Sequence, residues 1–308
     1  MGSPKFALPV LKNLIESRHD LVGVYTQPDK PSGRGKKMNS PAVKLFAKDL
    51  GFDVYQPSSL KDPKTCQEIS ELKPSLIIVA AYGKLIPKEL LSIPQYGCWN
   101  LHPSLLPEYR GPSPVVSAIL DGKTSTGVTL MQMDEGLDTG DMLHISRCPI
   151  SDTETSASLY NKLAELGPSA LIDTVNKLAN GDITPEPQND ALANYAKKLS
   201  KEEANIDWSM SAVQIERNIR SFNPWPVCFT QMGEQTVKIY QAKVVDQSGK
   251  PGEILTSDKN GVVVACGEHA LSITQLQPQG KKPMAISDFL NGRSGWVSPG
   301  TLLGENNE

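Results

Sequence analysis

Leu76-Ile77-Ile78-Val79-Ala80-Ala81 is a continuous apolar run with the length of one buried strand. A strand that is apolar on both faces is typical of a parallel sheet covered by helices. Outward from this run, apolar strand patterns alternate with helical patterns. The other predicted strands are 21–25, 53–55, 97–101 and 127–131, and the predicted helices are 42–50, 67–72, 115–120 and 156–178. The alternation predicts an α/β fold with a doubly wound, Rossmann-like sheet. Gly167-Pro168 predicts a break or kink in the last helix.

The amino terminus departs from this pattern. A doubly wound domain normally begins with a strand that feeds its first helix. Here Gly2-Ser3-Pro4 reads as the turn after such a strand, and residues 6–15 read as the helix. Two interpretations stay open: a complete protein with a helical start, or a chain shortened by its first strand. The second predicts low stability, because loss of a central strand exposes two strand edges.

The pattern of residue types along the sequence changes after residue 183. The alternating prolines Pro185 and Pro187 exclude a regular helix and favour an extended linker. One helical pattern and several short apolar runs separated by turns follow, which indicates a small β-barrel. We therefore predict an α/β domain over 1–183, a linker over 184–202 and a small β domain over 203–308.

The composition excludes several classes of protein. Hydrophobic residues make up 39% and charged residues 21% of the 308, which is typical of a globular chain. The net charge of −3 means that any nucleic-acid surface must be a local patch. No run approaches the roughly 20 apolar residues of a membrane span. The five scattered cysteines form no CxxC pair, so we expect no disulfide framework and no metal site. These features predict a soluble, reduced, cytoplasmic protein.

The densest unusual stretch is Asn100-Leu101-His102-Pro103-Ser104-Leu105-Leu106-Pro107, which follows a predicted strand. Side chains two apart on a strand face the same side, so Asn100 and His102 converge. Histidine is the usual acid or base near neutral pH, and an amide can donate to a developing oxyanion. The alternative is that His102 is a satisfied loop histidine.

Two further stretches carry charge. Residues 134–141 (Asp-Glu-Gly-Leu-Asp-Thr-Gly-Asp) bind a metal, orient a base or form a solvated acidic turn. They lack the carboxylate spacing of a calcium loop. Residues 27–37 have four positive side chains against one negative one and no P-loop pattern. This glycine-containing loop either binds phosphate groups or is a solvated loop.

Together these stretches resemble the folate-dependent formyltransferases. Asn-x-His followed by Ser-Leu-Leu-Pro, Tyr109-Arg110-Gly111 and residues 136–141 carry the superfamily resemblance. The basic loop, residues 198–203 and Phe222-Asn223-Pro224-Trp225-Pro226 are similar to the methionyl-tRNA formyltransferase family. The resemblance runs from Gly2 to about Pro299.

The resemblance implies formyl transfer from 10-formyltetrahydrofolate to the α-amino group of methionyl-initiator tRNA, for translation initiation. It implies a bacterial-type cytoplasmic monomer without metal, with an OB-like tRNA-binding domain at the carboxyl end. The residues that it assigns are Asn100, His102 and Asp138 as catalytic, Ser104, Leu105, Leu106, Pro107, Tyr82 and Gly83 as folate-binding, and Arg34, Lys36 and Lys37 as tRNA-binding. Asp138 would orient His102.

Three other functions stay open. A formyltransferase acting on a sugar nucleotide or glycinamide ribonucleotide would explain Asn100, His102 and Asp138, but not the basic loop. A folate-binding hydrolase would release formate. A non-catalytic tRNA-binding protein would keep the pocket as scaffold, and the missing first strand favours it.

Overall fold

The computed structural model describes residues 1–32 and 37–304. Within these ranges the helices are α1 (Leu8–Glu16), α2 (Ala42–Asp49), α3 (Pro63–Glu71), α4 (Lys88–Leu91), α5 (Pro114–Leu120), α6 (Ser156–Asn180), α7 (Ala212–Ser221) and α8 (Ile286–Leu290). The strands are β1 (Val24–Tyr25), β2 (Lys30–Ser32), β3 (Lys37–Asn39), β4 (Val54–Tyr55), β5 (Ile77–Val79), β6 (Cys98–His102), β7 (Ser125–Gln132), β8 (Met142–Pro149), β9 (Phe229–Met232), β10 (Gln235–Val245), β11 (Ile254–Asp258), β12 (Gly261–Ala265), β13 (Ala270–Pro278) and β14 (Met284–Ala285). None of the helices in the described ranges has the length and apolar character needed to cross a membrane.

The chain divides into two compact units whose sequences interleave. The first comprises Met1–Pro114, Ser125–Pro149 and Tyr160–Ala196, and the second comprises Val115–Thr124, Ile150–Leu159 and the residues from Lys197 onward. Val116 and Leu120 of α5 pack against the core of the second unit. The division at 1–183, 184–202 and 203–308 stays a prediction.

The sheet of the first unit mixes parallel and antiparallel pairs. β1 pairs in parallel with β4, and β5 pairs in parallel with β6. β7 is antiparallel to both β6 and β8, so the order β5-β6-β7-β8 is mostly antiparallel. The α/β class is as predicted, but the parallel sheet that we expected is wrong for β7 and β8. A short connection, residues 133–141, joins these strands, and parallel strands need a long crossover.

β8 was not predicted from the sequence. It is a strand of eight residues that is only partly buried, with the exposed residues near its end. His144, Ser146 and Arg147 interrupt the apolar pattern that would have revealed it. β8 lies at the edge of the sheet, with β7 as its neighbouring strand on one side and a bridge from Met142 to Glu186 on the other.

A gap separates β1 from β5. Only Met1 and Gly2 lie between these strands, where Gly2 donates to the Tyr25 carbonyl (3.0 Å) and Ala80 donates to the Met1 carbonyl (2.9 Å). Gly2 forms a parallel bridge with Ala80. A cavity of about 540 Å³, lined by residues of both strand edges, opens beside them. The position predicted for a first strand is therefore occupied by Met1 and Gly2.

α6 is continuous through Pro168, so the expected break is absent. A β-carbon on Gly167 would lie 2.4 Å from the Leu101 side chain of β6. Gly167 thus permits close packing of the helix on the strand that carries Asn100 and His102. The Gly-Pro pair serves this packing and does not end the helix.

The second unit is built on an antiparallel sheet in the order β11-β12-β13-β10-β9, with β14 paired to β13. α7 packs against this sheet through Ala212, Ile215 and Ile219, which join its buried core. The Ser211 hydroxyl accepts from the Gln214 amide and caps α7. The strand pairs of the described residues do not close into a barrel, so the barrel closure that we expected is not found.

Candidate functional site

Asn100 and His102 lie on β6, two residues apart and on one face. β6 pairs with β7 in the register Asn100↔Met131 and His102↔Thr129. His102 is buried (4% exposed), whereas Asn100 is half-buried. Asn100 is paired with Val79 of β5 and Met131 of β7, and His102 is paired with Thr129 of β7, so the sheet fixes both backbone positions.

Asp138 lies on the connection between β7 and β8. The Asp134 carboxylate accepts from the Gly136 amide (2.9 Å) and from the Thr139 hydroxyl (2.7 Å), which shapes this loop. A β-carbon on Gly140 would lie 1.8 Å from the Gln132 carbonyl oxygen. Gly140 is thus explained by the tight return of the loop onto β7.

The structure brings the three predicted catalytic side chains together. One carboxylate oxygen of Asp138, Oδ2, lies 3.6 Å from Nδ1 of His102 and accepts from the Gly111 amide at 2.9 Å. The other, Oδ1, accepts from the Asn100 amide nitrogen at 3.4 Å. Asp138 therefore contacts both other members of the set, and the acidic stretch is more than a solvated turn.

The second ring nitrogen of His102 contacts the backbone. Nε2 lies 2.9 Å from the Tyr109 carbonyl oxygen. Because a carbonyl oxygen only accepts, Nε2 carries a hydrogen in this arrangement. Nδ1 is then the nitrogen that can take up or release a proton, and a proton there would be held between the imidazole and the Asp138 carboxylate. This partner set differs from that of a histidine satisfied only by its loop.

A cavity of about 1110 Å³ adjoins these side chains. Its lining includes Asn100, His102 and Asp138 together with Tyr82 and Gly83. Apolar walls come from side chains of the neighbouring strands and loops, among them Val79, Ile86 and Met131. A mainly apolar cavity with a few convergent polar groups is the usual form of a small-molecule site.

Tyr82 stands out within this cavity. Its side chain is buried (2% exposed), and among the described residues its hydroxyl has no hydrogen-bond partner. Burial raises the pKa of Tyr82 to about 12. The Gln27 amide donates to the carbonyls of Tyr82 (2.9 Å) and Gly83 (3.2 Å), which fixes this turn at the end of β5. The Tyr82 hydroxyl is thus a buried polar group without a partner among the described residues.

Ser104, Leu105, Leu106 and Pro107 form the turn that follows β6, and the cavity lining includes Pro103 but none of these four. The Ser104 hydroxyl donates to the Glu108 carbonyl (2.7 Å). The Thr129 hydroxyl donates to the Ser104 carbonyl (2.7 Å) and accepts from the Leu106 amide (3.1 Å). The Leu106–Pro107 peptide is cis. The turn is thus strongly fixed beside the cavity.

The basic loop is described only in part. β2 and β3 pair from Lys30↔Asn39 to Ser32↔Lys37, while Arg34 and Lys36 lie outside the described residues. Asp29 anchors the base of this hairpin, since its carboxylate accepts from Lys44 (2.7 Å), Gln56 (2.9 Å) and Ser40 (3.0 Å). The hydrogen bond from Lys44, followed by that from Gln56, lowers the pKa of Asp29 to about 2.

Sequence reasoning missed the residues that support the site. Tyr109 and Gly111 contact His102 and Asp138 through the backbone, and no role was assigned to either. Tyr109 and Gly111 adopt positive φ angles of 58° and 109°, and Gly111 is the available signal because glycine favours that region. Gln188 contacts the Asp138 loop from the segment interpreted as a linker. Nothing in the local pattern identifies it.

Comparison with protein families gives two matches. The Formyl transferase family matches residues 1–175, and the Formyl transferase C-terminal domain family matches residues 198–294. A methionyl-tRNA formyltransferase of Pseudoalteromonas translucida is 67% identical over 311 residues, with 100% of this chain and 97% of that protein aligned.

Solved structures share the fold at low sequence identity. The sugar 3N-formyl transferase WlaRD, crystallised with dTDP and 5-N-formyl-THF, has a TM-score of 0.68 at 18% identity over 91% of this chain and 97% of that one. An N-formyltransferase of Helicobacter canadensis has a TM-score of 0.67 at 17% identity over 88% and 97%. HypX of Aquifex aeolicus with tetrahydrofolic acid has a TM-score of 0.59 at 23% identity over 79% of this chain, which spans 43% of HypX.

Proposed function

This chain belongs to the formyl transferase family, and on that premise we propose that it transfers the formyl group of 10-formyltetrahydrofolate to the α-amino group of methionine esterified to initiator tRNA. The full-length identity of 67% to a methionyl-tRNA formyltransferase confirms the family, the enzyme class and the folate co-substrate inferred from the sequence. The observation that carries the proposal is the convergence of Asn100, His102 and Asp138 on one cavity.

The first step is attack by the neutral α-amino nitrogen on the formyl carbon, which forms the new C–N bond. A model α-amino group has a pKa of about 7.7–8.0, so a base near neutral pH is useful. His102 Nδ1 takes the amine proton, and the Asp138 carboxylate at 3.6 Å holds that proton against the ring. Tyr109 keeps the ring in place by accepting from Nε2.

The attack moves the carbonyl electron pair onto oxygen. The Asn100 side-chain amide donates to this oxyanion, and the positive charge on the protonated His102 stabilises it electrostatically. When the oxyanion collapses, the bond between the formyl carbon and the folate nitrogen breaks. His102 returns its proton to that leaving nitrogen, so the histidine ends in its starting state.

The cavity supplies a site for the folate. Tyr82 and Gly83 line it at the end of β5, and the buried Tyr82 hydroxyl has no partner among the described residues. We assign this part of the cavity, together with the adjoining turn Ser104–Pro107, to 10-formyltetrahydrofolate. The rigid hydrogen bonding of Ser104 and Leu106 to Thr129 supports a preformed loop.

The tRNA is assigned to the basic loop and the second unit. Arg34, Lys36 and Lys37 would contact its phosphates, and the sheet that carries α7 and α8 is proposed as an OB-like tRNA-binding domain. The first unit is proposed as the Rossmann-like formyltransferase domain. The proposal includes a monomer that acts in the cytoplasm, and light scattering during gel filtration tests the monomer.

Formylation of methionyl-initiator tRNA with 10-formyltetrahydrofolate tests the proposal. His102→Ala should lower kcat by roughly 10²-fold to 10⁴-fold, the usual share of a general base. The matched control is His19→Ala, since His19 contacts Asn176 at 3.3 Å and does not line the same cavity. Full activity of His102→Ala would overturn the assignment of the base.

The same assay separates the rival functions. Transfer to an amino-sugar nucleotide or glycinamide ribonucleotide, without transfer to the charged tRNA, would favour another formyltransferase. Formate release without any acceptor would favour a hydrolase. Binding of tRNA by a folded chain that transfers nothing would favour a binding protein.

A further inference from the structure

The segment from Glu186 to Ala196, here called the strap, lies against the loops that hold the site. At its start, Glu186 exchanges two backbone hydrogen bonds with Met142 of β8 (2.8 and 2.9 Å). At its end, the Ala196 amide donates to the Arg110 carbonyl (2.8 Å). The strap is therefore tied at both ends to the rest of the first unit, although Pro185 and Pro187 predict an extended linker here.

Both polar atoms of the Gln188 side chain form hydrogen bonds with residues beside the site. Its amide nitrogen donates to the carbonyls of Asp138 (2.9 Å) and Gly140 (2.7 Å). Its amide oxygen accepts from the Arg110 guanidinium (3.0 Å). Because these hydrogen bonds satisfy both its amide nitrogen and its amide oxygen, the Gln188 side chain fixes the backbone of the loop that carries Asp138. That backbone needs support, because Asp138 has φ 55°, a region that costs a non-glycine residue energy.

The buried guanidinium of Arg110 depends on hydrogen-bond partners from the strap. Its side chain is 2% exposed, and its guanidinium also donates to the Asp190 carboxylate at 2.7 Å. Burial acts to lower the pKa of Arg110, but the hydrogen bonds to Asp190 and Tyr195 outweigh it and raise the pKa. A buried cation without such partners would be strongly unfavourable. The strap therefore supplies the partners that allow Arg110 to lie between the strap and the site.

The strap also reaches His102. The Asn194 side chain accepts from the Tyr109 amide, and its carbonyl accepts from the Arg110 amide (3.0 Å). The Tyr109 carbonyl in turn accepts from Nε2 of His102. Thus one short segment fixes the peptide that orients the histidine and the loop that presents the carboxylate.

We propose that the strap sets the distance between His102 and Asp138, and that Gln188 is the positioning residue through which it does so. The inference rests on the proposed function for its kinetic consequences but concerns a geometry that is measurable without turnover. Gln188 contacts Asp138 only at the backbone carbonyl and does not line the cavity. It therefore acts through Asp138 and not on the substrate.

Steady-state kinetics of Gln188→Leu give the first test. Removal of the two amide donors should lower kcat by roughly 10-fold to 100-fold, as expected for a misplacement of about 1 Å. The KM for each substrate should change by less than about 2-fold, because no ground-state contact is lost. Asn189→Ala is the control, since among the described residues the Asn189 side-chain oxygen accepts only from the Ala191 amide of the strap itself (3.1 Å). A change confined to KM would overturn the positioning role.

A double-mutant cycle gives the second test. If Gln188 acts through the Asp138 carboxylate, its removal should cost much less in an Asp138→Asn background than in the wild-type enzyme. Equal fold-losses in the two backgrounds would place Gln188 outside the path to Asp138.

The third test does not depend on formyl transfer. The chain has four histidines, so ring ¹⁵N labelling of histidine gives a spectrum in which each can be assigned by substitution. Gln188→Leu should shift the Nδ1 resonance of His102 and leave the resonances of His19, His144 and His269 unchanged. Gln188→Glu, which keeps the acceptor for Arg110 but loses both donors, should give the same shift.

These outcomes separate the two proposals. A shifted His102 signal in a protein that transfers no formyl group would support the strap and contradict the proposed function. Formyl transfer together with unshifted His102 resonances in the Gln188 variants would support the proposed function and contradict the role of the strap. If both Gln188 variants failed to fold, Gln188 would be a stability residue and the inference would be wrong.

Discussion

Asp138 combines a functional carboxylate with a backbone conformation that disfavours it. Its φ of 55° lies in the left-handed region, where glycine is favoured. The carboxylate nevertheless accepts from both the Gly111 amide and the Asn100 side chain. Asparagine and aspartate tolerate this region better than other residues, so the strain is modest and is held by the surrounding hydrogen bonds. The residue is retained there for its contacts with His102 and Asn100.

Gly140→Ala tests how tightly the Asp138 loop is held. The added β-carbon would lie 1.8 Å from the Gln132 carbonyl oxygen, a backbone atom that cannot yield without moving the loop. We expect kcat to fall by at least about 10-fold while the fold is retained, because a small displacement of Asp138 suffices. Gly295→Ala is the control, since a β-carbon there meets no atom within 4 Å. Equal kcat for the two variants would show that the loop adapts freely.

The strands β1 and β5 of the first unit each lack a neighbouring strand on one side. Met1 and Gly2 alone lie between them, and the cavity of about 540 Å³ beside them is walled by apolar residues such as Val24 and Ile77. Each strand pairs on one side with a neighbour and faces the gap on the other. A buried strand edge loses hydrogen bonds that a neighbouring strand would supply.

An apolar extension of about six residues before Met1 should stabilise the chain. It would continue the parallel pairing that Gly2 begins and bury several side chains, each contributing about 1.5–3 kcal/mol. We expect the melting temperature to rise by roughly 5–10 °C. A glycine-serine extension of equal length is the control, and equal melting temperatures for the two extensions would contradict the prediction.

The Met1 α-amino group, which lies in the same gap, should make the stability of the protein depend on pH. The Met1 α-amino group donates to the Ile78 carbonyl at 2.6 Å, and burial lowers its pKa from 8.0 to about 6. Between these values the unfolded chain binds more protons than the folded chain. Stability should therefore rise from pH 6 to pH 8, by up to about 2 kcal/mol. Urea midpoints of the 308-residue chain at both pH values measure this, and the apolar extension should abolish the difference.

At the scale of the whole molecule, the charge is unfavourable for a protein that binds tRNA. The net charge is −3, so binding must depend on local positive patches such as the basic loop. Lys36→Ala combined with Lys37→Ala should weaken tRNA binding and lower the slope of log Kd against log salt by about 2. Lys12→Ala with Lys48→Ala, two exposed lysines outside the loop, is the charge-matched control. Equal slopes for the two double variants would exclude phosphate contacts by the loop.

The division of the molecule into units also departs from the order of the chain. The second unit takes in Val115–Thr124 and Ile150–Leu159 from the α/β half of the sequence. These segments flank β7 and β8, whereas the loop that joins the two strands carries Asp138. Composition reports where the residue types change along the chain, whereas the unit of a segment depends on which core it joins.

The sequence by itself determined the class of the fold, the family, and the three side chains that meet in the site. Apolar runs and helical periodicity depend on neighbours along the chain, so β5, β6, α6 and α7 could be read from the sequence. Asn100 and His102 could be placed together because they are two residues apart on one strand.

Only the tertiary structure decided what depends on distant parts of the chain. The antiparallel β8 follows from a short connection and leaves little trace in its own mixed sequence. Arg110 is buried because Gln188 and Asp190, about 80 residues away, supply its partners. The choice of Nε2 for the Tyr109 carbonyl and Nδ1 for Asp138 follows from how two loops approach β6. A local pattern shows which residues could do chemistry, but long-range hydrogen bonds fix the distances between them.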